Sequence, residues 1–288
     1  MANRFILNEV SYFGPGARKE LPEVVKRLGF KKALVVTDKG LMQFGVAKMV
    51  LDVMDEAGIA YDIFDDVKPN PTVTNVKNGI KACKKAQADF IVAIGGGSSM
   101  DTAKGIGIVV NNPEFADIVS LEGVADTKKK SLPIIALPTT AGTAAETTIN
   151  YVIIDESRQA KMVCVDPNDI PCVAIIDAEL MYSLPKSLTA ATGMDAMTHA
   201  IEAYVSTANS DYTDPLAIHA IEMIMKDLVP SYNGDMAARD RMHDAQCLAG
   251  MAFSNALLGI VHSMAHKTGA IFADYGAHII HGAANAMY

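Results

Sequence analysis

The chain has 288 residues, half of them hydrophobic, and a formal net charge of −8. That length holds one large or two ordinary domains with a sizeable core. The acidic balance argues against a nucleic acid or an anionic membrane as partner, and no apolar run reaches the roughly eighteen residues of a spanning helix, so a soluble protein acting on a small molecule is expected.

Four cysteines (Cys83, Cys164, Cys172 and Cys247) show no CxxC spacing, and charged and polar residues interrupt the N-terminal MANRFILNEV too early for a signal peptide. A cytoplasmic location is expected. The segment RFILNEVSYFGPGA reads as an extended strand or hairpin ending in a turn-rich breaker. A terminal apolar strand can pair with its own sheet or with a partner's, which makes a homodimer an expectation.

From about residue 31 to 180, short β-branched runs alternate with helical patterns. KKALVVTD, AYDIFDDV, DFIVAIGGG, PIIALPTT and CVAIID read as buried strands, and LMQFGVAKMVLDVMDEAG, TVTNVKNGIKACKKAQA and SSMDTAKGIGIVV as the helices between them. Such alternation predicts βαβ crossovers and a largely parallel sheet. After Pro185 every segment is helical in period. The boundary is therefore set at Leu184–Pro185, with an α/β domain over 1–184 and an all-helical one over 185–288.

Strand DFIVAI runs directly into Gly95-Gly96-Gly97-Ser98 and then a helix. Glycines allow a ligand close to the backbone, and a helix start offers free N–H groups to a pyrophosphate. A plain tight turn explains the same residues, and the loop is not the GxGxxG fingerprint. Asp38 ends strand KKALVVT; it can accept from a ribose diol and repel a 2′-phosphate, favouring NAD over NADP, or it can simply cap the next helix. The loop PTTAGTAAETT suits phosphate, ribose and nicotinamide contacts, and is also what a hydroxyl-rich turn looks like.

All seven histidines lie at or beyond His199. Asp195 and His199 are spaced to share one helix face, and His262, His266, His278 and His281 follow close together. A single histidine of this kind is explained as a core residue bonded to a carbonyl, and His219 and His243 are read that way. The set is read as a site for iron or zinc, since it is too rich in nitrogen for calcium or magnesium.

Together these residues resemble the iron-dependent alcohol dehydrogenase family over essentially the whole chain. The likeness is carried by the GGGSxxD loop, by PTTAGTAAE, by IIDAELMYSLPKSLTAATGMDAMTHAIEAY and by GIVHSMAHKTGA with HGAAN. Asp177, Pro185, Thr192, Asp195, His199 and Glu202 all fall at the family's spacing. The resemblance implies an α/β dinucleotide-binding domain, with a parallel sheet flanked by helices, followed by an all-α metal-binding domain, as in dehydroquinate synthase-like proteins, with the active site in the cleft between them.

It also implies iron (Fe2+, with Zn2+ as the alternative) on Asp195, His199, His262 and His281. NAD would be held by Asp38, Gly96, Gly97, Ser98, Thr139, Thr140, Thr143 and Lys161. Asn150, Val152, Phe253 and Leu258 would line a pocket for a small alcohol or aldehyde such as lactaldehyde or 1,2-propanediol, with His266 assisting proton movement. Rival expectations are a zinc-dependent polyol dehydrogenase or a dehydroquinate-synthase-like lyase, and an inactive NAD-binding remnant.

Two departures from the family pattern stand out. IFADYGAHII holds an insertion between His266 and His281, which could substitute His278 as fourth ligand. The chain also stops at ANAMY, in a segment read as a continuing helix, which carries the expectation of a truncated helical domain.

Overall fold

The computed structural model describes residues 4–273 and 279–288. His278 lies outside the described residues. The chain forms two compact units, one of Asn8–Thr139 with Ile149–Leu180, the other of Met1–Leu7, Thr140–Thr148 and Met181–Tyr288.

The first unit contains, in order, β1 (Val10–Phe13), α1 (Leu21–Leu28), β2 (Lys32–Val36), α2 (Lys39–Gln43), α3 (Val46–Glu56), β3 (Ala60–Phe64), α4 (Val73–Ala86), β4 (Phe90–Gly95) and α5 (Gly97–Asn111). It continues with β5 (Gly123–Val124), β6 (Ile134–Pro138), β7 (Asn150–Asp155), β8 (Ala160–Val165) and β9 (Val173–Ile176). Six strands make one sheet in the order β1-β9-β6-β4-β2-β3, with every pairing parallel. The inner strands β4, β6 and β9 are buried at every residue, because helices over both faces leave no polar side to alternate with. Leu21, Val24, Val46, Val50 and Met54 of the helices join Val35, Val92, Ile135 and Ile175 of the strands in one core.

Of the two readings of the N-terminal segment, strand or hairpin, the structure has the strand: β1 adds a parallel edge strand against β9. Two other points differ from expectation. The single helix read over LMQFGVAKMVLDVMDEAG is two, because Gly45 adopts φ 78° between α2 and α3, a left-handed conformation that stops one helix before the next begins. A second, three-stranded sheet was not anticipated: β7 and β8 form an antiparallel hairpin and β5 pairs parallel to β8. Its turn, Glu156-Ser157-Arg158-Gln159, lacks the glycine or Asn-Gly signal of a tight hairpin. The Asp155 carboxylate organises it instead, accepting from the Ser157 N–H and hydroxyl and from Arg158 Nε.

The second unit is built on α6 (Lys186–Val205), α7 (Asp214–Tyr232), α8 (Met236–Ala256), α9 (Ile260–Ala273) and α10 (His281–Asn285). Alanines fill its centre: Ala196, Ala200 and Ala203 of α6, Ala217 and Ala220 of α7, and Ala245, Ala249 and Ala252 of α8 are fully buried. Small side chains on every facing surface bring the three helices together along their length. The helix expected to run through ANAMY ends at Asn285.

Candidate active site

In the first unit, parallel pairing brings the C-terminal ends of β2, β4 and β6 to one edge of the sheet. Asp38, the Gly96-Gly97-Ser98 turn and Thr139 follow those three ends directly. The chain leaves β2 for β3 on one side and later returns as β4 on the other, so the gap between β2 and β4 is a topological switch point, where open α/β sheets bind ligands. Gly95 turns at φ 150°, and a Cβ there would lie 2.3 Å from Ser99 Oγ, so the approach to the helix requires glycine. No side chain caps α5 at Gly96, which leaves its start suited to an anion.

Asp38 does cap α2, its Oδ1 accepting from Leu41 N–H at 2.9 Å. The cap and the ribose contact are compatible, because a carboxylate has a second oxygen.

Ser98 and Lys161 are linked through Asn70. The Asn70 N–H donates to Ser98 Oγ at 3.2 Å, and Lys161 Nζ donates to Asn70 Oδ1 at 3.1 Å. Burial pulls the Lys161 amine below its ordinary range, against the attraction of Asp101. Asn70 was not singled out from the sequence, although it sits at φ 53° immediately before Pro71, and Asn-Pro is a turn signal. Thr140 and Thr143, read with the nucleotide residues, belong to the helical unit; Thr143 Oγ1 accepts from Ala145 N–H.

The helical unit gathers the proposed ligands. Asp195 Oδ1 lies 3.6 Å from His262 Nε2, 3.7 Å from His281 Nε2 and 4.0 Å from His199 Nε2. Asp195, His262 and His281 each offer an atom within 4.8 Å of the other two. Asp195, His199 and Glu202 project from one face of α6, spaced by four and three residues. The close approach of α10 to α6 completes the group, since a Cβ on Gly282 would fall 1.9 Å from the Ala191 carbonyl oxygen.

The rings are oriented from behind. His199 Nδ1 lies 3.2 Å from the Gly142 carbonyl, and His262 Nδ1 lies 2.5 Å from Glu202 Oε2. Each Nδ1–H donates to that oxygen, which leaves both Nε2 lone pairs turned toward Asp195. Glu202 also accepts from the Val261 N–H at 2.8 Å, fixing the start of α9. Asn285 donates to Asp195 Oδ1 at 2.7 Å. Sequence spacing marked Glu202, and Gly142 and Asn285 fall inside PTTAGTAAE and HGAAN, but no sequence pattern assigned any of the three a role.

Burial pushes the His199 imidazole down to about 3, outweighing the pull of Asp195, and so keeps it neutral. Burial alone would raise the Asp195 carboxyl, but His262 and His281 beside it hold it well below the usual carboxylate range. One ionised carboxylate with three imidazoles, two of them oriented by bonds at Nδ1, is the donor set of a divalent transition ion, so the residues fit a metal.

The remaining site residues divide between the units. His266 stacks on His281 with ring centroids 4.5 Å apart. Phe253 stacks on His199 at 4.2 Å and shares a small apolar cluster with Leu258. Asn150 and Val152 lie on β7 in the first unit. His219 is exposed near Glu222, and His243 is buried in α8.

Residues 8–178 match the model of the iron-containing alcohol dehydrogenases, and residues 189–288 match that of the C-terminal part of the Fe-containing alcohol dehydrogenase family. The chain is 55% identical over 287 residues to lactaldehyde reductase of Escherichia coli (strain K12), covering 100% of the chain and 74% of that relative. Among solved structures it is similar to a 1,3-propanediol oxidoreductase (TM-score 0.94, 42% identity, 99% of this chain and 74% of that one). It is also similar to the sulfoacetaldehyde reductase of Bifidobacterium kashiwanohense in complex with NAD+ (TM-score 0.89, 32% identity, 100% of this chain and 75% of that one). The chain belongs to the iron-containing alcohol dehydrogenase family and is a metal-dependent oxidoreductase of alcohols and aldehydes.

Proposed function

We propose that the chain transfers a hydride between NAD(H) and a small alcohol or aldehyde, with lactaldehyde and 1,2-propanediol as the substrate pair. The observation that carries this reading is the convergence of three imidazole Nε2 atoms on Asp195 Oδ1, two of them oriented from behind by Gly142 and Glu202. The similarity to a lactaldehyde reductase supports the substrate, and the NAD+-bound neighbour supports the cofactor. The work is divided: 1–184 carries all eight cofactor residues, and 185–288 carries the metal ligands.

When bound, Fe2+ on Asp195, His199, His262 and His281 supplies Lewis-acid polarisation of the carbonyl oxygen. The protein's own residues hold and orient the reactants. Gly96, Gly97 and Ser98 receive the pyrophosphate on the start of α5, and Asp38 accepts from the ribose hydroxyls. Thr139, Thr140, Thr143 and Lys161 supply further polar contacts to the cofactor. Asn150, Val152, Phe253 and Leu258 shape the space for a short carbon chain. His266 passes a proton toward the product oxygen; an H266A variant with an unchanged pH profile of turnover removes that role.

The test is NADH oxidation by anaerobically purified, iron-loaded protein. Turnover of lactaldehyde, propanal or butanal is expected, and no turnover of any of them overturns the reading. Metal analysis of the same preparation distinguishes iron from zinc. We further propose a cytoplasmic location and a homodimer, the latter supported by β1 lying at the edge of the sheet, and light scattering at the mass of a monomer overturns the dimer.

A further inference from the structure

Lys104 is a lysine with no exposed surface. Removing an ammonium from water is unfavourable unless it is paired and hydrogen-bonded, and an apolar side chain of the same length would fill the space without that penalty. Two carboxyl groups interact with it electrostatically, Asp101 and the buried Asp169, and burial pushes both toward the protonated form. Its Nζ donates to the Asn150 carbonyl oxygen at 2.8 Å. One turn earlier on α5, the Asp101 carboxyl accepts from the Val152 N–H. Beside these two contacts the helix presses close to the hairpin, where a Cβ on Gly105 would meet Ile153 Cδ1 at 3.1 Å.

The two backbone groups gripped in this way belong to Asn150 and Val152. Their side chains alternate with the buried Tyr151 and Ile153 and occupy the half-buried face of β7. The same helix begins at the Gly96-Gly97-Ser98 turn. A single rigid element therefore fixes both the phosphate loop and the strand that carries Asn150 and Val152.

We propose that Lys104 is a positioning residue of the substrate pocket, its buried ammonium holding the Asn150 carbonyl so that β7 presents Asn150 and Val152 to the aldehyde. This rests on the reading that those two residues line the pocket. Lys104 acts through the strand and does not touch the substrate.

The test is K104M in the iron-loaded enzyme, which keeps the length of the side chain and removes its donor. Loss of this hydrogen bond is expected to raise KM for lactaldehyde about tenfold, while the Kd for NADH, read by fluorescence, moves less than about twofold. Amide hydrogen exchange at β7 is expected to accelerate, with β9 unchanged. Because K104M removes the positive charge beside the Asp101 and Asp169 carboxyls, K104M/D169N is made alongside it. The double variant is expected to fold and to show the same KM rise, with D169N alone near wild type. An unchanged KM in an active enzyme overturns the inference, as does an NADH Kd that rises in step with KM. Unchanged exchange at β7 overturns it whatever the activity. A wild-type enzyme that reduces no aldehyde overturns the proposed function instead, and exchange at β7 still decides whether Lys104 holds the strand.

Discussion

Glu202 and His262 are joined by a 2.5 Å contact between Oε2 and Nδ1, and that bond decides which nitrogen of the ring faces Asp195. Burial disfavours a proton on His262, but the Asp195 and Glu202 carboxylates outweigh it and raise the ring's affinity for one. With Nδ1–H committed to Glu202, only the Nε2 side competes between a proton and a metal. E202Q keeps the shape and removes the charge. It is expected to weaken cobalt(II) or iron(II) binding by roughly ten- to hundredfold, measured by chelator competition, as loss of a partner behind a ligating histidine commonly does. Wild-type affinity in E202Q would show that the contact only packs α9 against α6.

The place of His281 depends on one glycine rather than on its own side chain. A Cβ at Gly282 would sit 1.9 Å from the backbone oxygen of Ala191 and 3.0 Å from the Asp195 Cβ, both on α6, so the helices must part to accept it. G282A is expected to destabilise the protein by about 1–3 kcal/mol in urea unfolding, as overpacking does. It should also release metal to a chelator faster than wild type. Unchanged metal retention would mean that His281 does not contribute.

The parallel sheet was legible in the sequence because its inner strands are buried on both faces and so appear as unbroken runs such as ALVV and FIVAI. The β7–β8 hairpin was not, because a carboxylate from Asp155 replaces the glycine that normally marks such a turn. On the site, Asp195 and His199 were readable from helical spacing, which acts within one element. Glu202 falls on the same face, but its bond to His262 spans 60 positions, and no local pattern encodes it. Gly142 and Asn285 enter through a carbonyl and a helix approach, features of the folded chain alone.

Burial, reinforced by the neighbouring charge of Asp240, pushes the Asp244 carboxyl up to about 6 from its ordinary 3.8. In the unfolded chain the group gives up its proton first. Between about pH 4 and 6 the folded state therefore binds more protons, and stability falls as pH rises through that window. D244N stays neutral throughout. Its stability advantage over wild type is expected to grow from pH 4 to pH 7, reaching about 1–2 kcal/mol once partial exposure is allowed for, and then to level off. Parallel pH profiles of urea unfolding for the two proteins would contradict the shift.

Asp38 caps α2 and is proposed to discriminate between coenzymes, two roles that substitution can separate. As the cap of α2 it needs only an acceptor for the Leu41 N–H, and asparagine provides one as well as aspartate does. As the discriminator between coenzymes it needs its negative charge, which repels a 2′-phosphate at the end of β2. D38N therefore keeps the cap and loses the repulsion: stability should stay near wild type while the ratio of kcat/KM for NADPH over NADH rises by about tenfold or more. D38A loses both, so it should show the same shift in coenzyme ratio together with a stability loss of about 1 kcal/mol. If the ratio stays fixed in both variants while stability falls in D38A alone, Asp38 is a helix cap only, and the preference for NAD must be set by other residues along the same sheet edge.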